Sequence, residues 1–200
     1  MFYIGVDLGQ KQDYTAVAIV QREDELAANL AGAYNLRAGT PSRLLVRRVE
    51  RIPLGTPYPR VVELIRETVW SRAMAGQCRL VVDSTGVGTP VVEMLRGAGM
   101  GCEITAVTIT GGEKESGGGM NVGVPKRDLM AGLHLSLEKG ELRIARKMKE
   151  AGTLVRELVA MKTNGAEGEE HDDLVIALAL ACWKARRRRI GYGESRIKGF

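Results

Sequence analysis

Asp7, Asp83 and the adjacent pair Asp172 and Asp173 are the residues of this chain whose type and setting point to chemistry. Each stands at the edge of an apolar run: Gly5-Val6-Asp7-Leu8-Gly9, Val81-Val82-Asp83-Ser84-Thr85-Gly86, and His171-Asp172-Asp173-Leu174. Such an edge is where a fold can hold a charge against solvent. Carboxylates gathered at one place repel each other and drive some of their number to protonate. Divalent cations remove that conflict. An all-oxygen donor set suits Mg2+ or Mn2+, and the absence of clustered Cys and His argues against zinc. Two such ions about 3.5–4 Å apart can activate a water and stabilise a leaving oxygen, the requirements of phosphodiester hydrolysis.

Each residue alone has a plainer role. Asp7 can cap a turn, and Asp83 can be an ordinary strand-to-turn aspartate. Asp172 or Asp173 can be the N-cap of the helix that follows, one of them capping while the other binds metal. His171 reads better as a polar helix-entry residue than as a ligand. The argument rests on their conjunction, and which of Asp172 and Asp173 is the main ligand stays open.

The elements that would position them follow from periodicity. Phe2 to Leu8 and Tyr14 to Val20 read as strands linked closely enough for an antiparallel hairpin. Residues 23–43 are mixed and read as an irregular excursion, and Leu44 to Ile52 as a third strand. Apolar spacing over Val61 to Ala75 predicts a helix. Arg79 to Val82 is a fourth strand ending at Asp83, followed by a turn through Gly86 and Gly88 and a helix with Pro90 in its first turn. Ile104 to Ile109 is a fifth strand. Six glycines between Gly111 and Gly123 predict a mobile loop. Helices follow from about Lys126 to Glu138 and from Ala151 to Met161, with a minor extended piece at Leu142 to Ile144. After a short acidic linker, Asn164 to Glu170, a final helix from Asp172 to about Arg187 carries Ala and Leu on nearly every face and should be buried. The expectation is one mixed five-stranded sheet flanked by helices, with the first strand central and the fourth parallel to it. That pairing would put Asp7 and Asp83 on neighbouring strands about 4.8 Å apart.

Two hundred residues suit one domain with a sizeable core. The net charge of +5 is concentrated at the C-terminus, where Lys184, Arg186, Arg187, Arg188, Arg189, Arg196 and Lys198 face only Glu194. The body is close to neutral, so residues 1–187 read as a domain and 188–200 as a basic tail suited to a polyanion. Arg186 to Arg189 are candidate DNA contacts, as are Lys126 and Arg127, which equally suit a solvated helix start. Aromatic residues are 4% of the chain, which argues against base stacking as the main binding mode. Cys78, Cys102 and Cys182 form no CxxC pair and read as reduced, buried thiols. No secretory leader and no apolar run long enough to span a bilayer are evident, which predicts a soluble cytoplasmic protein without a membrane partner.

With these residues in place, the chain resembles the nuclease domain of phage large terminase subunits, a ribonuclease H-like family. Gly5-Val6-Asp7-Leu8-Gly9 with Asp13 and Thr15-Ala16 is similar to its opening strand and turn, and Val82-Asp83-Ser84-Thr85-Gly86-Val87-Gly88 to its second acidic site. The more specific stretches are Ile109-Thr110-Gly111-Gly112 with Val124-Pro125-Lys126-Arg127-Asp128-Leu129, and Gly168-Glu169-Glu170-His171-Asp172-Asp173-Leu174-Val175 continuing through Ala177-Leu178-Ala179. The resemblance implies a metal-dependent DNA endonuclease of phage or prophage origin. Asp7, Asp83 and one or both of Asp172 and Asp173 would bind two Mg2+ or Mn2+ ions. Double-stranded DNA would be the partner, together with the packaging motor and portal if the chain is an excised domain. The chain departs from the family in lacking a GxxxxGK[ST] phosphate loop, hence an ATPase motor, and in its short linker before the last helix, where the family carries a longer hairpin. Three other readings share parts of the pattern: a Holliday junction resolvase-like nuclease, an actin-like ATPase fragment, and an inactive DNA-binding module.

Overall fold

A computed structural model describes residues 1–9, 13–24, 42–86, 88–164 and 172–187. The predicted excursion at residues 25–41, most of the acidic linker, His171, Arg188, Arg189 and the rest of the predicted tail lie outside them.

The described chain forms one eight-stranded sheet with helices on both faces. The strands are β1 (Phe2–Asp7), β2 (Thr15–Asp24), β3 (Ser42–Ile52), β4 (Cys78–Asp83), β5 (Glu103–Thr110), β6 (Ser116–Gly118), β7 (Asn121–Pro125) and β8 (Leu142–Ile144). The helices are α1 (Tyr58–Val69), α2 (Gly88–Gly97), α3 (Lys126–Glu138), α4 (Ala151–Asn164) and α5 (Asp173–Arg186). Strand order is β6-β7-β5-β4-β1-β2-β3-β8. As predicted, β1 lies inside the sheet, antiparallel to β2 and parallel to β4.

The five predicted strands are β1 to β5, β8 is the predicted extended piece at Leu142 to Ile144, and β6 and β7 bring the sheet to eight. The glycine-rich segment predicted as a mobile loop instead holds the β6–β7 hairpin, and β7 runs parallel to β5. Glycine content hid it, because the pairing that orders β7 comes from a strand distant in sequence. Helix α1 starts earlier and ends earlier than its apolar spacing suggested, since Pro59 is accommodated in the first turn.

Alternation along each strand sorts residues onto two faces. Ile4, Val6, Val17, Ile19, Leu80, Val82, Ile104 and Ala106 pack under α1 and α2. Tyr3, Ala16, Ala18, Val81 and Val107 pack on the other face under α5, flanked by α3 and α4 residues. Helix α5 is buried along nearly its whole length, from Leu174 through Cys182. Among the described residues no helix is long and apolar enough to cross a membrane.

Candidate functional site

The register of the sheet lays the candidate residues in a row. Asp7 stands opposite Ala16 across the β1–β2 pair, and Ala16 opposite Arg51 across β2–β3. On the other side, Val6 pairs with Val82, which sets Asp83 beside Asp7, and Asp83 pairs with Val107 of β5. Because β1, β4, β5 and β7 run parallel, their carboxyl ends share one edge of the sheet, the usual place for a site in such folds. Lys126, the first residue of α3, follows the end of β7 at this edge.

The final helix reaches the same row because of Gly5. A Cβ built on Gly5 would lie 1.9 Å from the Ala177 carbonyl oxygen and 2.9 Å from the Ala181 nitrogen, so α5 crosses β1 backbone to backbone. Gly5 and Asp7 share a face of β1, and Asp173 lies one helical turn before Ala177. The aspartates at the start of α5 therefore arrive over Asp7.

Electrostatics record the convergence. Burial pushes the Asp7 carboxyl well above its usual range, and the charges of Asp83, Asp173 and Asp172 push it further; Lys126 opposes them. Burial also raises Asp83, partly offset by hydrogen bonds from Thr85. Those bonds, from the Thr85 backbone N–H at 2.8 Å and its hydroxyl at 2.6 Å, both fall on Oδ1 of Asp83. The Thr85 hydroxyl in turn accepts the Ile109 N–H at 2.8 Å, tying the turn to β5. Gly86 permits the turn with φ of +68°. At the end of β1, the Gly9 N–H donates to the Thr15 hydroxyl and its carbonyl accepts the Tyr58 hydroxyl.

Asp173 is 7% exposed and faces Arg51, whose Nη2 stands 3.6 Å from its Oδ2. Lys126 Nζ donates to Asp172 Oδ2 at 2.8 Å. Three residues of this constellation went unread in the sequence: Arg51, Thr85 and Glu157. Arg51 belongs by strand register, which sequence does not supply. Glu157 had a signal, as an acid at helical spacing among Leu154, Leu158 and Met161. It is buried, pushed up to about 7 by burial, and held back by Arg51 and by backbone N–H groups of α5.

Among the described residues, Arg127, Arg186 and Arg187 are not brought to the carboxylates. Arg127 pairs with Asp128 and with Glu113, whose carbonyl it also contacts. Arg187 pairs with Glu115 and stacks on Trp183 at the far end of α5. With Arg186 it lies about 20 Å along the helix from Asp173.

Among the described residues, no three His, Cys, Asp or Glu side chains form a ready-made metal cage. The donor chemistry nonetheless fits divalent cations: four carboxylates share one field with Lys126 and Arg51, and burial together with its neighbours' charge raises the pKa of Asp7.

No family model matches the sequence, and no curated protein matches it. Solved structures do match its fold. The large terminase nuclease of thermophilic phage G20c is 20% identical, with 90% of this chain and 80% of that one covered at a TM-score of 0.56. The chain has a ribonuclease H-like fold. The nuclease domain of the bacterial virus Sf6 large terminase subunit, solved with manganese and β-thujaplicinol, is 16% identical over 90% of this chain and 87% of that one, at 0.54. The human cytomegalovirus terminase nuclease domain, soaked with manganese, is 13% identical over 91% and 81%, at 0.50. The ribonuclease H-like fold read from the sequence is thus the one the chain adopts.

Proposed function

We propose that this ribonuclease H-like domain is a metal-dependent DNA endonuclease of terminase type, in which Asp7, Asp83, Asp172 and Asp173 hold two Mg2+ or Mn2+ ions. The observation that carries the reading is the field at Asp7, where burial and three further carboxylates meet a single lysine. When bound, the ions would supply an activated water and stabilisation of the leaving oxygen. Asp7 and Asp173, the more enclosed acids, would anchor them. Both hydrogen bonds to Asp83 fall on Oδ1, which leaves Oδ2 to serve as the donor atom. Lys126 pairs with Asp172 and, with the ions bound, would be available to meet a phosphate oxygen. Residues 1–187 would act as the nuclease and 188–200 as a basic arm on the duplex. The setting would be the cytoplasm of a bacterial host, with a packaging motor and portal as further partners.

The test is digestion of supercoiled plasmid by wild type and Asp7→Asn with Mg2+, Mn2+ or EDTA. Wild type should cut only with metal. Asp7→Asn should lose more than about a hundredfold, beyond the 10–100-fold typical of residues that merely support a ligand. Equal cutting by the variant would remove Asp7 from the site. Failure on plasmid with cutting of four-way junctions would replace the terminase reading with a resolvase one.

A further inference from the structure

Helix α5 opens with two aspartates, residues well suited to capping a helix start, yet Asp172 at the N-cap makes no side-chain capping bond. Its Oδ2 is engaged by Lys126 instead. A capping aspartate would take the N–H of the second or third helical residue, here Leu174 and Val175. Both donate to Oε2 of Glu157 on α4, at 3.1 and 3.2 Å. The other oxygen of Glu157, Oε1, accepts Arg51 Nη2 at 2.8 Å, and that same nitrogen faces Asp173. A buried carboxylate is costly unless its oxygens are filled. Here one is filled by α5 and the other by the arginine beside the cluster.

We infer that Glu157 is a positioning residue that caps α5 in place of Asp172, leaving Asp172 to the carboxylate cluster, and that through Arg51 it fixes where Asp173 stands. The functional half deepens the cation-dependent reading above and rests on it; the capping half does not. Glu157 would act on the ligand residues only through Arg51 and the α5 amides. Its removal should leave the first turn of α5 uncapped and Asp172 and Asp173 less firmly placed in the cluster.

Two measurements on wild type, Glu157→Ala and Glu157→Gln decide this: amide hydrogen exchange by NMR without metal, and Mn2+ titration followed by electron paramagnetic resonance. Glu157→Ala should lose tenfold or more protection at the Leu174 and Val175 amides, with β1 and β4 amides unchanged. Its Mn2+ affinity should fall 10–100-fold, the range for residues that orient a ligand. Glu157→Gln keeps an acceptor oxygen and should recover the protection, but not the full affinity, having lost the charge that holds Arg51. If Glu157→Ala does not fold, Glu157→Gln carries the test through that split. Unchanged protection in Glu157→Ala, with loss on Asp172→Ala instead, would overturn the capping role. Mn2+ affinity equal to wild type would overturn the positioning of Asp173. Wild type that binds no Mn2+ would sink the cation reading and this functional half together, while the exchange data still decide the capping.

Discussion

Asp7 is the candidate residue whose pKa burial and three neighbouring carboxylates raise, and its environment makes a pH prediction with a definite sign. Its folded-state pKa is raised, so the folded protein prefers the neutral acid. That stability is fully present below the ordinary aspartate range of about 4 and is lost as pH rises through the elevated folded value. Metal-free wild type should therefore lose stability from about pH 4 toward neutrality relative to Asp7→Asn, which carries no such charge. At about pH 8 in EDTA the variant should melt a few degrees higher, given about 2–4 °C per kcal/mol for a chain of this size. Saturating Mn2+ should reverse the order, because a cation that binds only the folded state stabilises it and needs the ionised carboxylate. Thermal melts across pH check both halves. A variant that melts lower than wild type in EDTA would show that Asp7 does not stand in a repulsive cluster.

At the scale of elements, the site exists because α5 can lie directly on β1. Gly5→Ala puts a methyl group 1.9 Å from the Ala177 carbonyl, and backbone cannot yield as a side chain does. The helix must lift, at a cost of about 3 kcal/mol or more, among the larger effects of single substitutions. The expected result is a melting temperature lower by roughly 6–12 °C and a weakened Mn2+-induced rise. Gly97→Ala is the control, since a Cβ there meets nothing within 4 Å and its φ is not positive; it should be neutral or slightly stabilising. Equal melting of the two variants would mean that the close crossing of α5 over β1 is not what holds the helix. The β6–β7 hairpin belongs to the same scale. Glu115, in the turn that enters it, accepts Trp183 Nε1 and pairs with Arg187, fastening it to the end of α5.

At the scale of the molecule, the carboxylate cluster and the described basic end of α5 are separated. The carboxylates lie at one end of α5 and Arg186 and Arg187 at the other, so the basic end can add affinity without touching the reacting atoms. Deleting residues 191–200 and neutralising Arg186 to Arg189 should raise the KM for DNA with little change in kcat. It should also reduce the slope of log affinity against log salt by about 0.9 for each phosphate that is no longer neutralised. Arg187, already paired with Glu115, should account for less than its share. Filter binding at several salt concentrations gives the slope, and an unchanged value would assign this end a structural role.

Much of this was legible in the sequence, because it depends on local pattern. The short link between β1 and β2 dictated their antiparallel pairing, and the length of chain between β1 and β4 allowed a parallel one. Aspartates at the ends of apolar runs marked three of the places whose carboxylates the fold brings together, and the featureless apolar surface of α5 announced its burial. What tertiary structure decided is everything that depends on strand register and helix crossing. It placed Arg51 in line with Asp7, turned Glu157 into the cap of a helix that carries its own capping residues, and drew Lys126 from the protein surface into the carboxylate field. Those assignments arise from contacts between residues tens of positions apart. Their partners are set by how the sheet and α5 pack, and no local spacing encodes that choice.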